Sequence, residues 1–359
     1  MTVSAETIKQ YATGALADPL NPNKQGITPT AVAYKGNQDG YTAERAALHQ
    51  RIVDEHLAGK KPTPEKQFIS VGGGMSVGMT YVKRLLEREK LIDPDSFVTI
   101  SPVSMAAVPE FKERDHYQHA EKSPLMVDEY YHVVGKIVDA ALKRGLSIAF
   151  VEMGDHKNEM IRAVTKARDA GYATAMFGLT LSENDYFMAS NAWQDHYGRL
   201  ADHFRGMTAM RNFTLNWPSY ADEFDDAVLL ETKYGGEEYG YGLIQATPLF
   251  ISARKAGEGH VERILAPDKY AEFLKHQYLP VDAKNPDEAR RNYPSSISVN
   301  STPDCSGAFN HAATDLSQAV RKLMSGTEFQ DKFAAESKTI LENRRKRMEE
   351  RNAPQPIRA

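Results

Sequence analysis

The 359-residue sequence has a single cysteine, Cys305, and lacks both long apolar runs and a strong excess of either charge. One cysteine cannot form an intrachain disulfide or a multi-cysteine zinc site, which favours a reducing compartment, and we interpret its thiol as inert. No segment approaches the roughly 18 apolar residues needed to span a bilayer. The first residues also lack the pattern of a signal peptide. We therefore expect a soluble, cytoplasmic protein.

The charged residues are nearly balanced, with 44 Lys and Arg against 48 Asp and Glu and a formal net charge of -4. A protein whose main partner is nucleic acid or an anionic membrane usually carries an excess of basic residues. The balance therefore argues against both of these partners. A small molecule or another protein is the expected partner.

Apolar, β-branched runs alternate with amphipathic segments through the middle of the chain. We predict strands at 67–71, 96–101, 146–152 and 172–179, with helices between them. Such alternation indicates right-handed crossovers and a parallel sheet with helices on both faces. The predicted fold class is therefore α/β.

Composition divides the chain into four parts. Residues 1–40 are rich in Asn, Pro, Gly and Thr, which is typical of an extended arm rather than a packed element. We expect the α/β domain to cover 41–278, a turn-rich linker 279–326 and a charged helical tail 327–359. The arm and the terminal helix are the surfaces at which we expect a protein partner. For the terminal helix, a solvated helix with paired charges is the simpler alternative.

The segment VGGGMSVGMTYV (71–82) lies between a predicted strand and a predicted helix. Gly73, Gly78 and Thr80 have the spacing of the phosphate-binding loop G-x-x-x-x-G-K-[ST], in which backbone N–H groups and a helix N-terminus hold phosphate oxygens. Met79 stands where that loop has lysine, and its side chain carries no charge and donates no hydrogen bond. The segment is either a descendant of a nucleotide-binding loop or a tight turn without a ligand.

Further segments follow one another along the chain: YTAERAALHQRIVDEHLAG (41–59), the glycine loop, VDEYYHVVGKIVDAALKRG (127–145), FVEMGD (150–155) and AVTKARDAGYATAMF (163–177). In the order and spacing of these segments, the chain resembles the zeta toxin family over about residues 41–278. That family has a P-loop kinase fold, and its active members transfer a phosphoryl group from ATP or GTP to the 3'-hydroxyl of a UDP-activated amino sugar. The resemblance implies a P-loop kinase-like sheet, and Mg²⁺ with ATP or GTP if nucleotide binding is retained. Members also occur in bacteriophage genomes, so a place in a virion is an alternative to the cytoplasm.

The resemblance also implies site residues. Thr80 corresponds to the hydroxyl that ligates magnesium, and Glu152 corresponds to the acidic residue that ends the third strand and helps to hold the metal. Glu129 corresponds to the acidic residue that contacts the sugar, although a surface carboxylate on an amphipathic helix is an alternative. The nucleotide-binding positions implied by the family are Gly73, Gly74, Ser76, Gly78, Met79 and Thr80.

Several positions depart from the family's pattern. In TISPVSM (99–105), Pro102 and Val103 occupy the acidic positions that include the family's catalytic base, and neither can accept a proton. The family also binds phosphates with arginines after the fourth strand. Here only Arg199 stands at the expected place, with Arg205 and Arg211 as weaker candidates.

These departures favour a catalytically inactive member of the fold that serves as a scaffold or binding module, with a phage virion as one setting. The alternative is a kinase of altered chemistry acting on a UDP-amino sugar or another small molecule, with Lys83, Arg84 or Arg199 replacing the lysine. Asp155 and His156 are a candidate acid and base for that reaction. A third hypothesis is an α/β binding protein unrelated to the family.

Overall fold

A computed structural model describes residues 41, 43–105, 127–197, 203–236, 242–255, 259–299, 315–324 and 327–352. The predicted arm (1–40), Cys305 and Arg199 lie outside the described residues.

A mixed β-sheet forms the centre of the described structure, with strand order β2-β3-β1-β4-β5-β6-β7. Strands β1 to β5 run parallel, while β6 is antiparallel to both β5 and β7. The α/β prediction is confirmed, but the sheet is mixed rather than wholly parallel, because strands joined by short connections pair antiparallel. The strands are β1 (Gln67–Gly73), β2 (Phe97–Ile100), β3 (Ser147–Met153), β4 (Ala173–Leu181), β5 (Asp226–Tyr234), β6 (Leu243–Lys255) and β7 (Gly259–Ile264).

Helices follow most of the strands and account for the remaining regular structure of the described residues. Short 3₁₀ turns lie at Pro102–Met105 and His276–Tyr278. The α-helices are α1 (Ala43–Leu57), α2 (Met79–Arg88), α3 (Val127–Arg144), α4 (Lys157–Asp169), α5 (Glu183–Tyr197), α6 (His203–Glu223), α7 (Pro267–Lys275), α8 (Pro286–Arg290), α9 (Asp315–Met324) and α10 (Glu328–Asn352).

Each face of the sheet carries its own apolar core. Ile69 of β1 belongs to the same buried cluster as Leu85 of α2. The preceding residue, Phe68, belongs to the cluster on the other face, together with Ile137 of α3. Side chains that alternate along a strand point to opposite faces, so a central strand covered on both faces must be apolar at nearly every position. This explains why the predicted strands are continuous apolar runs.

The core continues past residue 278, where we predicted the end of the domain. Phe329 and Phe333 of α10 are fully buried and belong to the same cluster as β1 and α2, as does Leu316 of α9. The stretch predicted as a linker therefore contains helices, and the first part of the predicted tail is a core element. Only towards its C-terminal end is α10 a solvated helix with paired charges, such as Arg345 and Glu349 at 2.9 Å.

A buried carboxylate connects the segment after α7 to the start of α5. Glu183, at the start of α5, lies 3.1 Å from His276 Nε2 and accepts hydrogen bonds from Arg290 Nε at 3.1 Å and from the Tyr293 hydroxyl. Burial acts to raise the pKa of Glu183, but the hydrogen bond and charge of His276 and the bond from Tyr293 outweigh it and lower the pKa to about 2. This carboxylate is therefore ionised in the folded protein at neutral pH.

No helix within the described residues is both long enough and apolar enough to cross a bilayer.

Candidate functional site

The carboxyl ends of β1 and β3 form the crevice at which the fold favours ligand binding. Strand β1 lies between β3 and β4, so the chain leaves β1 towards one side of the sheet and leaves β3 towards the other. Ligands of open α/β sheets bind where the direction of connection changes in this way. The N–H of Gly154 donates to the carbonyl oxygen of Gly73 at 2.9 Å, which joins the segment after β3 to the start of the glycine loop.

The glycine loop has the predicted position, between the end of β1 at Gly73 and the start of α2 at Met79. Its conformation needs glycine at Gly78, where φ is 88°. A Cβ atom at Gly78 would lie 1.6 Å from Leu243 Cδ1, and one at Gly74 would lie 2.8 Å from Met210 Cγ. The close neighbours of these glycines are therefore side chains of the protein itself.

Strand β5 holds the middle of the loop through two carbonyl groups. The Tyr234 hydroxyl donates to the carbonyl oxygen of Ser76 at 2.8 Å, and Thr232 Oγ1 donates to that of Val77 at 3.0 Å. The side chain of Val77 is buried. These contacts fix the loop to the sheet.

The lysine position of the loop lies at the N-terminus of α2. Met79 is partly buried and packs against the apolar core, whereas Thr80 is exposed. The first N–H groups of a helix have no partner within the helix, so this end still offers donors to an anion. The side chain of Met79 adds neither charge nor a donor to them.

Glu152, predicted as a metal ligand, is the next-to-last residue of β3, and its side chain is buried. Its carboxylate accepts a hydrogen bond from the Tyr130 hydroxyl, and its Oε1 accepts one from the N–H of Met153 at 2.9 Å. Within the described ranges, no group of three or more His, Cys, Asp or Glu side chains is arranged to hold a metal ion.

Asp155 brings a second carboxylate to the crevice. Its side chain is 1% exposed, its Oδ2 lies 3.8 Å from His156 Nε2, and its buried Oδ1 has no hydrogen-bond partner. The ring of His156 contacts that of Tyr131, with centroids 4.7 Å apart. Asp155 and His156 therefore face each other, although adjacent residues in a sequence generally do not.

The charges of both carboxylates act on a neighbouring aromatic side chain, that of Tyr131. Burial raises the pKa of Tyr131 well above its usual value, the charges of Glu152 and Asp155 raise it further, and Arg205 acts in the opposite direction. Tyr131 was not predicted as a site residue, because nothing in the sequence distinguishes it from Tyr130 beside it. Arg205, a weaker sequence candidate, is close enough to affect this group.

Glu129 does not lie on the protein surface, where the alternative to a sugar contact placed it. It is completely buried, and its carboxylate accepts hydrogen bonds from Arg45 Nε at 2.5 Å and Arg45 Nη2 at 2.9 Å and lies 2.6 Å from His49 Nε2. Burial acts to raise the pKa of Glu129, but the bonds from His49 and Arg45 lower it overall. The prediction of a surface carboxylate is wrong, and a contact with sugar stays a prediction.

The segment after β2 forms a turn closed by its own serines. The N–H of Ser101 donates to Ser104 Oγ at 2.9 Å, and the N–H of Ser104 donates to the carbonyl oxygen of Ser101 at 2.8 Å. The side chains of Pro102 and Val103 lie outside the described part of the chain.

Taken together, these residues fit a magnesium–nucleotide complex poorly. The helix N-terminus could receive a phosphate, but Met79 supplies no cation, and Glu152 already accepts hydrogen bonds from the protein. A second carboxylate, that of Asp155, adjoins the loop through Gly154 and would repel an anion.

No family model matches the chain, and no curated protein matches it. Solved structures that align with this chain include a protein of the PezAT chromosomal toxin–antitoxin system of Streptococcus pneumoniae. It is 13% identical, with a TM-score of 0.42, and the alignment covers 58% of this chain and 83% of that one. The AvrRxo1-ORF1:AvrRxo1-ORF2 structure with sulphate ions is 12% identical, with a TM-score of 0.42, and covers 84% of this chain and 91% of that one. The structure of the same complex with ATP gives the same values.

Proposed function

We propose that this chain is a P-loop kinase-like protein that does not transfer phosphoryl groups and serves as a binding module or scaffold. The observation that carries the proposal is the place of Met79, which packs against the apolar core at the position where such a loop needs a cationic amine. A strand, a glycine loop and a helix in this order support the kinase-like ancestry of the site.

The expected loss of rate is large. Removing one donor that stabilises the transition state costs about 3 kcal/mol, which is a factor of roughly a hundred. The absence of a general base typically costs a further hundredfold to ten-thousandfold. The two losses concern different steps of charge development, so they compound. A protein that lacks both the cation and the general base would keep binding as its function rather than turnover.

A second candidate function is phosphoryl transfer by altered chemistry, with Mg²⁺ and ATP or GTP and a UDP-amino sugar or another small molecule as acceptor. It is favoured by Asp155, a buried carboxylate with an unpartnered oxygen that lies beside His156. Such an oxygen has the properties of a general base for a hydroxyl group. Thr80, Glu152 and Arg199 would keep their family roles in this version.

The partner of the binding module is proposed to be a protein that contacts the N-terminal arm (1–40) or the exposed end of α10. The described end of α10 carries charged side chains, including the Arg345 and Glu349 pair. A charged, solvated helix end suits an electrostatically steered contact. Association with a phage virion belongs to the same proposal and rests on the family resemblance alone.

The thermal midpoint tests the binding part of the proposal. A nucleotide at a hundred times its dissociation constant stabilises a protein by about 2.7 kcal/mol, so a bound nucleotide would raise the midpoint visibly. We expect no shift of the unmodified chain with millimolar Mg-ATP or Mg-GTP compared with Mg²⁺ alone. We expect a shift after Met79→Lys if the remaining loop is still organised.

The matched control is Met75→Lys, because Met75 belongs to the same loop and also packs partly buried against the core. It adds the same charge at a position that does not correspond to the family's lysine. A dose-dependent shift of the unmodified chain would contradict the proposal. Equal shifts with both lysine variants would show that added charge, rather than its position, causes binding.

A further inference from the structure

We propose that the crevice beside the glycine loop binds an organic ammonium group, which Asp155 and the ring of Tyr131 recognise. This inference rests on the proposed function in one respect, since it requires that the loop does not hold a triphosphate. It assigns a ligand class to the site that the kinase-like ancestry does not supply.

The first observation is the unpartnered oxygen of Asp155. The side chain is 1% exposed, yet Oδ1 is buried without a hydrogen-bond partner. Buried polar atoms nearly always have a partner, and leaving one without costs free energy. A carboxylate oxygen accepts hydrogen bonds and cannot donate them when ionised, so the missing partner is a donor.

The second observation is the position of this oxygen beside the loop. Asp155 follows Gly154, whose N–H donates to the carbonyl oxygen of Gly73 at 2.9 Å. Asn216 Nδ2 lies 3.3 Å from the carbonyl oxygens of Gly154 and Asp155, and the Tyr220 hydroxyl donates to Gly154 at 2.9 Å. The backbone around Asp155 is therefore fixed from α6, and the carboxylate is held at the switch point between β1 and β3.

The third observation is the sign of the local charge. Burial is the largest cause of the raised pKa of Tyr131, and the charges of Glu152 and Asp155 raise it further, while Arg205 acts in the opposite direction. Two carboxylates therefore act on the same aromatic side chain, which favours a cation there. The ancestral ligand, a polyphosphate, would be repelled here, whereas a cation would be attracted.

The kind of cation follows from the neighbouring groups. A metal ion is disfavoured, because calcium takes six or more oxygen ligands and no group of three or more His, Cys, Asp or Glu side chains lies together in the described residues. The ring of Tyr131, whose centroid lies 4.7 Å from that of His156, instead places an aromatic side chain near the carboxylate. An ammonium group is recognised by this combination, since it donates to a carboxylate and is attracted to an aromatic face.

Isothermal titration calorimetry of the full chain at fixed ionic strength tests the proposal. The probe is putrescine, a short diamine, and the matched ligand control is 1,4-butanediol, which has hydroxyl groups in place of both ammonium groups. We expect saturable binding of putrescine and no binding of the diol. Asp155→Asn should weaken putrescine binding by at least about tenfold, as expected for the loss of a hydrogen bond to a charged group.

The matched protein control is Asp139→Asn, because Asp139 is an exposed carboxylate on α3 that pairs with Lys166 at 2.6 Å. It removes the same charge outside the crevice and should leave the affinity for putrescine unchanged. Tyr131→Phe should keep most of the affinity and Tyr131→Leu should lose it. A circular dichroism melt of each variant establishes that it is folded.

Several results would overturn the proposal. These are an absence of saturable putrescine binding, equal affinity of Asp155→Asn and the unmodified chain, or equal binding of the diol. A titration with Mg-ATP in the same buffer separates the two proposals. If ATP binds and putrescine does not, both fail; if neither binds, only the ammonium site fails.

Discussion

Replacing Gly78 by alanine should destabilise the protein by about 2–5 kcal/mol, because two independent costs fall on one residue. The left-handed backbone at φ 88° costs a non-glycine residue roughly 1–2 kcal/mol. The new Cβ atom would also lie 1.6 Å from Leu243 Cδ1, and overpacking of this kind costs typically about 1–3 kcal/mol. Urea denaturation followed by circular dichroism measures the free energy of unfolding of both proteins.

Gly59→Ala is the matched control. Gly59 also has a positive φ, 71°, but a Cβ atom there would meet nothing within 4 Å. It should therefore lose only the backbone contribution, roughly 1–2 kcal/mol. Adding Leu243→Ala to Gly78→Ala should cost less than Leu243→Ala costs alone in the unmodified chain. If the two glycine variants are equally destabilised, Leu243 of β6 does not pack closely against the loop at Gly78, and this contact is wrong.

The remaining predictions concern three buried polar contacts. Arg45→Met should destabilise the protein by about 3–5 kcal/mol in urea, because it removes the permanently charged partner of the buried Glu129 and leaves His49 at that carboxylate; a loss under about 1 kcal/mol would contradict this. The pKa of Glu183 is lowered from 4.5 to about 2 by folding, so its stabilisation is complete above pH 4.5 and is lost as the pH falls towards 2. The lowered pKa of Glu183 corresponds to about 3 kcal/mol of unfolding free energy. Glu183→Gln should therefore reduce the change in unfolding free energy between pH 5 and pH 2 by that amount. An unchanged pH profile would refute this role of Glu183. Tyr234→Phe should cost about 1 kcal/mol in the same denaturation assay, since it removes the donor to Ser76, and a neutral effect would mean that this contact does not hold the loop.

The strands and the loop could be predicted because their signals are local. A strand buried on both faces is apolar at nearly every position, and SVGGG after such a run ends it at a turn. The prediction therefore placed β1, β3 and β4 within two residues of their observed bounds. The helix predicted after this segment is present as α2 and begins at Met79.

The role of the C-terminal helix was not predicted, although part of its signal was present. Phe329 and Phe333 are one helical turn apart and both are buried, but charged residues around them outweigh two aromatic positions in the overall pattern. The identity of the surface that receives them, on α2 and β6, depends on contacts more than 200 residues away in sequence, such as Arg88 with Lys332 at a separation of 244. No local pattern encodes such a contact.

For the candidate site, too, only part could be predicted from the sequence. The glycine loop and Glu152 were predicted from motif positions, but the hydrogen-bond partners of their polar groups were not. The pairing of Arg45 with Glu129 joins residues 84 apart, and that of Tyr130 with Glu152 joins residues 22 apart. The buried, unpartnered oxygen of Asp155 is a property of its surroundings rather than of its sequence. Such properties emerge only when the helices and strands have packed.

Whether this chain transfers phosphoryl groups at all can be measured as release of ADP or GDP by the purified, unmodified protein, with Mg²⁺ and a panel of hydroxyl acceptors that includes UDP-amino sugars. We expect turnover no faster than in a control from which the protein has been removed by denaturation and centrifugation, because Met79 packs against the core and offers no charge to the phosphates. Steady turnover that copurifies with the folded chain and disappears with its thermal unfolding would show that the chain is an active kinase.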